Sequence, residues 1–225
     1  MPALDRDGDV AILNLGDDEN RFGIDRLAAI NDLLDQLASL PPPVALVTTA
    51  AGKIFSNGLD LDWLGEHPDQ MTDYLRSVQA LLVRVLTLPM PTVAAIQGHA
   101  FAAGAMLAFA HDWRVMRADR GFLCLPEVDL GMPFTIGMDS LIRAKLSPDT
   151  GLEAMTTGRR YGGVDAAAAG AVTRAVDADS VVATAIELVG PLAVKAGPAL
   201  GTIKGRMFAA QVEALTGPLG LTPGD

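Results

Sequence analysis

One cysteine in 225 residues, Cys124, excludes an intrachain disulfide, and its neighbours Leu123 and Leu125 mark it as a small buried hydrophobe rather than a reactive thiol. Histidine is nearly as scarce. His67, His99 and His111 share no metal-ligand spacing with one another or with Cys124, so no metal site is expected. Basic side chains are in deficit: 17 Lys and Arg against 27 Asp and Glu give a formal charge of −10. That charge repels phosphate backbones and anionic lipid surfaces over roughly 8 Å at physiological salt, so no nucleic-acid partner is expected. A small phosphate-bearing ligand stays compatible, because a few local cations outweigh a distant net charge. A dinucleotide fingerprint, a P-loop and a G-x-S-x-G elbow are all missing.

Charge of either sign is absent from residues 85–111, which raises a membrane span as the first reading. Pro89 and Pro91 open the stretch, Gln97, Gly98 and His99 interrupt it, and the remainder is rich in Ala and Gly. A buried strand, a turn and a buried helix explain it better, and no membrane partner is expected. Met1 to Asp9 lacks the basic and apolar regions of a signal peptide, and the closing Pro223-Gly224-Asp225 is no peroxisomal address, so cytoplasm is the expected location.

What is there is a chain half hydrophobic, long enough for one large core or two modest ones. Its first part alternates strand and helix. Val10–Leu15, Val44–Thr48, Thr92–Gln97, Trp113–Arg117 and Phe122–Leu125 read as strands, while Ile24–Leu40, Met71–Leu88 and Ala102–Ala110 read as helices. This predicts a layered α/β core or β-α superhelix over residues 1–132, with no fixed-period repeat in the residues themselves. From Pro133 the composition turns to Ala-rich helices, at Thr135–Leu146, Gly151–Thr157, Val164–Ala169, Ser180–Leu192 and Pro198–Leu215, with one strand at Val172–Val176. Helices with so few charges pack either on another subunit or as a plain helical subdomain over residues 133–225.

Three segments carry candidate chemistry. Lys53–Leu61 and Gly98–Leu107 each follow a buried strand and place small residues where a helix begins, so main-chain N–H groups are left free for a ligand. Two such donors converging would make an oxyanion hole, although Gly-bearing turns are also common structural punctuation. In the third segment, Phe122–Phe134, Glu127 and Asp129 interrupt an apolar run. Desolvation there raises a carboxyl pKa and yields a better base for proton abstraction beside a carbonyl. If the segment is extended the two acids share a face; if Pro126 starts a turn they diverge.

In this order the three segments resemble the crotonase (enoyl-CoA hydratase/isomerase) superfamily, over about Val10 to Met207. The family's F-x-x-G-x-D-L loop is met by Phe55, Gly58, Asp60 and Leu61, its H-D-terminated helix by Ala102–Asp112, and its P-E-x-x-x-G segment by Pro126, Glu127 and Gly131. The resemblance implies a β-β-α superhelix with a C-terminal helical region, and an oxyanion hole formed by the N–H groups of Leu59 and Ala103. Ala103 stands where the family usually has Gly. Hydratases of this family use two glutamates, and the first of those positions is Met106 here, which leaves Glu127 as a lone base. That pattern, with the wording of Pro126–Phe134 and the Asp17–Phe22 run, is similar to the Δ3,Δ2-enoyl-CoA isomerase branch.

The implied substrate is an acyl-CoA thioester, with no cofactor beyond the coenzyme A the substrate itself carries. Its implied contacts are Lys53, Asn57, Gly58, Asp60, Phe101, Met106, Met132 and Phe134, with Phe101, Met106, Met132 and Phe134 as the dry wall around Glu127. The family's basic stretch before the first long helix is short and acidic here, leaving Arg21, Lys53 and Lys204 as candidate phosphate partners. The Gly- and Pro-rich tail after Leu215 implies unusual closure of the acyl pocket, and the expected assembly is a homotrimer or dimer of trimers. Two rival readings accompany the isomerase: a hydratase that recruits Asp60 or Asp129 as its second acid, and a non-catalytic acyl-CoA-binding protein.

Overall fold

A computed structural model describes residues 1–221, so the closing Pro223–Asp225 lies outside the described residues. The chain opens with an antiparallel hairpin of β1 (Ala3–Asp7) and β2 (Val10–Asn14), then enters α1 (Ile24–Ala38). α1 buries Leu27, Ile30, Leu34 and Leu37, the stripe its spacing predicts. β3 (Ala45–Thr49) and β4 (Ile54–Ser56) lead to the short α2 (Leu61–Glu66) and the long α3 (Met71–Leu86). β5 (Thr92–Ile96) and β6 (His99–Phe101) lead to α4 (Ala103–Ala110). β7 (Trp113–Arg117) and β8 (Leu123–Cys124) lead to α5 (Ile136–Lys145).

Each of these three turns sends its first strand to one sheet and its second strand to another. One sheet has six strands in the order β1-β2-β3-β5-β7-β9, with β9 at Arg174–Val176; the other has three, in the order β4-β6-β8. All pairs except β1 with β2 are parallel. The expected β-β-α superhelix is thus the observed architecture. Its repeat is one of topology, since the intervening helices differ in length.

The remaining helices are α6 (Pro148–Thr157), α7 (Gly163–Ala168), α8 (Val181–Val189), α9 (Pro198–Met207) and α10 (Ala209–Thr216). A parallel sheet needs both faces covered. On one face of the large sheet, Val10, Val47, Val93 and Val115 pack on Val181, Ala185 and Val189 of α8. On the other, Leu13, Leu46, Ala94 and Ile96 join the main core with α1, α3 and α4. The change of composition at residues 132/133 therefore marks a change of secondary structure rather than a break in packing, because β9 and α8 both complete the large sheet.

The charge-free stretch divides among the end of α3, β5, β6 and the wholly buried α4. Among the described residues no single helix is long and apolar enough to cross a membrane. Two expectations are corrected. The helix expected over Pro198–Leu215 breaks at Phe208 into α9 and α10, and that expected over Ser180–Leu192 passes at Gly190 into a 3₁₀ turn running to Lys195. Neither Gly nor Pro marks the first break: α9 is held by the buried Lys204–Asp112 pair, while α10 docks on α5 and α3.

Candidate active site

The two glycine-bearing loops meet. Gly58 has φ +81°, a conformation open to glycine at little cost, and a Cβ built on it would lie 2.8 Å from the Ala103 nitrogen. Gly104 is packed so closely that a Cβ there would sit 2.3 Å from the Ser56 carbonyl oxygen. Small residues are thus required by backbone meeting backbone. Ala102, between β6 and α4, takes φ +51° without being glycine, a strained conformation that the surrounding structure must hold. Its N–H donates to the Cys124 carbonyl at 3.0 Å and its carbonyl accepts from Met106 N–H at 3.1 Å, which fixes the residue on both sides.

The consequence is a pair of free donors. Among the described residues neither Leu59 N–H nor Ala103 N–H donates to a protein acceptor, although their neighbours do. Gly58 N–H is taken by Ser56 Oγ at 3.1 Å and Asp60 N–H by the Tyr74 hydroxyl at 2.7 Å. The Asp17–Phe22 run braces this loop from outside. Phe22 N–H donates to the Gly58 carbonyl at 2.7 Å, Asn57 N–H to the Glu19 carbonyl at 3.0 Å, and Ser56 Oγ–H to the Asn20 carbonyl at 2.7 Å.

Opposite these loops, Pro126 starts a turn, so of the two geometries left open for Glu127 and Asp129 the divergent one is found. Asp129 N–H and Leu130 N–H donate to the Pro126 carbonyl, and Met132 N–H donates to the Glu127 carbonyl. Glu127 is 8% exposed and its Oε2 has no hydrogen-bond partner. Burial pushes this carboxyl up to about 7. Asp129 instead lies against Gly158.

A cavity of about 270 Å³ joins these parts, and among the described residues Glu127 is its only acidic lining residue. Of the expected site residues, Leu59, Ala103, Met106, Met132 and Phe134 line it, and Met106 is buried. Leu64, Met71, Leu75, Met138 and Leu221, which no motif marks, complete the apolar wall, together with Thr135, whose hydroxyl is occupied by Gln79. Helical periodicity marks Leu75 only as core, and nothing local tells which core side chain borders a void.

Other expected contacts lie elsewhere. Phe101 is not part of this lining; its ring packs against His99 at 5.0 Å and under Arg160. Asp60 caps α2 by accepting from Trp63 N–H, and pairs with Arg21, which also meets Glu19 and Asp62. Neither Asp60 nor Asp129 reaches the cavity as a second acid. Asn57 is half-buried and Lys53 exposed behind the loop. Lys204, expected as a phosphate partner, is instead buried and committed to Asp112 and the Met90 carbonyl. Cys124 is buried, its thiol pushed up to about 11 by desolvation.

The chain matches the Enoyl-CoA hydratase/isomerase family over residues 10–220. An Arabidopsis thaliana protein named Enoyl-CoA delta isomerase 3 is 37% identical over 219 residues, covering 92% of each chain. A Mycobacterium tuberculosis structure described as an enoyl-CoA isomerase superposes with TM-score 0.87 at 28% identity, covering 95% of this chain and 93% of its own. Human mitochondrial delta3-delta2-enoyl-CoA isomerase shares the fold, with TM-score 0.87 at 22% identity over 95% of this chain and 85% of its own. The match along nearly the whole chain, on a fold whose two glycine-bearing loops meet beside the Pro126-Glu127 turn, places the protein in the enoyl-CoA hydratase/isomerase family.

Proposed function

We propose that this protein is an isomerase that converts a 3-enoyl-CoA to the conjugated 2-enoyl-CoA. The observation that carries the reading is a single buried carboxylate, Glu127, with an unpartnered oxygen in an apolar cavity beside two free backbone donors. Glu127 takes a proton from C2. The C–H electron pair moves into the thioester, forming a dienolate whose oxygen receives hydrogen bonds from Leu59 N–H and Ala103 N–H. The same carboxyl returns the proton to C4, which leaves the double bond between C2 and C3.

A base near pKa 7 suits both steps at neutral pH, since it gives up the proton as readily as it accepts it. Each backbone donor contributes about 10² to 10³ in rate by analogy with acyl-transfer sites. Among the described residues the cavity offers no second acid that would activate water for addition. For assembly we propose the homotrimer or dimer of trimers of the family resemblance, supported by the exposed Leu152 and Val164 on α6 and α7.

The test follows 3-enoyl-CoA conversion by ultraviolet absorbance of the conjugated thioester. Wild-type turnover is expected to fall by about 10³-fold in Glu127→Gln. A hydrated product overturns the isomerase in favour of a hydratase. Acyl-CoA binding without turnover in the wild type leaves only a binding protein.

A further inference from the structure

A second cavity, of about 350 Å³, lies away from Glu127, between the end of α5, the 3₁₀ turn Gly190–Lys195 and α9. Trp113, Leu200, Ile203, Met207 and Phe208 give it apolar walls, whereas its charged lining among the described residues is Lys145, Lys195 and Lys204 against a single acid, Asp112. Asp112 is already engaged through one oxygen: its Oδ2 accepts from Lys204 Nζ at 2.6 Å, Thr92 N–H at 2.9 Å and Thr92 Oγ1 at 3.1 Å.

Lys145 finds no such partner. Its Nζ meets only the His111 carbonyl at 3.2 Å and the Phe208 ring, 4.3 Å from the centroid. Arg114, buried beside it, is likewise bonded only to the neutral carbonyls of Ala171 and His111. His111 adds no further positive charge, since burial pushes its imidazole down to about 4 and leaves it neutral. One sheltered neighbourhood therefore holds three cations, Arg114, Lys145 and Lys204, and one carboxylate. Uncompensated buried charge is unfavourable, and burial accordingly lowers Lys145 to about 8. An arriving anion would remove that penalty.

We propose that this cavity binds an amphiphilic carboxylate, its head group on the Lys145 ammonium and its alkyl body along Leu200, Ile203 and Met207. An ammonium has three protons, and those not directed at His111 match the two oxygens of a carboxylate. A phosphate has more acceptor oxygens than this apolar lining can serve and would meet stronger repulsion from Asp112. The volume falls in the range of small-ligand sites.

Calorimetric titration of the full-length protein with decanoate tests this, alongside Lys145→Met and the surface change Ile203→Glu, which sets a like charge at the mouth. The expected result is one saturable site whose Kd rises at least about tenfold in each variant, the scale of a lost hydrogen bond to a charged group. Should Lys145→Met fail to fold, Ile203→Glu gives the same reading alone. Absence of saturable binding overturns the proposal, as does equal affinity for inorganic phosphate or competition by decanoyl-CoA, which would move the site to Glu127. So does a change of sedimenting mass in Ile203→Glu without decanoate binding, which would assign the cavity to contact between copies of this chain.

Discussion

Two carboxylates of this protein sit in opposite circumstances. Asp112, at the end of α4, accepts hydrogen bonds from Thr92 and Lys204 and ties β5 and α9 to the core. Glu127 is the more deeply buried of the two, yet one of its oxygens meets nothing and its wall is Met, Leu and Phe. Burial alone does not separate a structural carboxylate from a reactive one. The satisfied acid contributes to holding the fold, and the orphaned acid is kept at a cost that a purely structural role would not require.

The largest expected effect tests the structural side. Asp112→Ala strands the Lys204 ammonium inside the protein and should destabilise by about 3 to 5 kcal/mol in urea unfolding. A loss below about 1 kcal/mol would break the contrast. Glu127→Gln should act in the opposite direction. The folded carboxyl titrates near 7 against an unperturbed 4.5, so the fold prefers its protonated form. That preference adds stability below pH 4.5 and is lost as pH rises to about 7. At pH 8 the neutral amide should therefore gain about 3 kcal/mol over the wild type, and near pH 4 almost nothing, as thermal unfolding at the two pH values will reveal.

A smaller effect lies in the rate. If Glu127 acts as the base, kcat/KM should rise about tenfold from pH 6 to pH 8 with a midpoint near 7, and a midpoint near 4.5 would mean that the desolvated environment is lost on binding. Smallest of all is Tyr74→Phe. It frees the Asp60 N–H next to the Leu59 donor and should cost about 1 kcal/mol of stability with a modest fall in kcat rather than a rise in KM. A change in KM alone would indicate that Tyr74 serves substrate binding and not the geometry of the loop.

Legibility in the sequence followed how strongly a feature is written locally. β2, β3, β5 and β7 are apolar runs and are found within a residue or so of their expected bounds. β1 was not foreseen because it is an exposed edge whose Asp and Arg conceal its pattern, and β4 and β6 are too short for periodicity to register, whereas the equally short β8 lies inside the expected Phe122–Leu125 run. Within the site, the positions fixed by loop motifs, Leu59, Ala103, Met106 and Glu127, gather as expected. Phe101 and Lys204 do not, because an aromatic ring or a long lysine beside a motif has several neighbours to choose from, and only packing chooses.

The Asp17–Phe22 run shows the same limit from another side. Its wording pointed to the isomerase branch, but its physical task, bracing Ser56, Asn57 and Gly58, appears only in the folded chain.

Residue order alone set the glycine where two backbones touch, the lone glutamate among apolar neighbours and the succession of strand and helix, because each depends on local sterics or on near neighbours in the chain. Whether Glu127 would lose its partners, whether Lys204 would meet Asp112, and which apolar side chains would border a void depended on groups far apart in sequence. Those outcomes were settled only when the sheets and helices packed, since desolvation and pairing are properties of the space around a side chain.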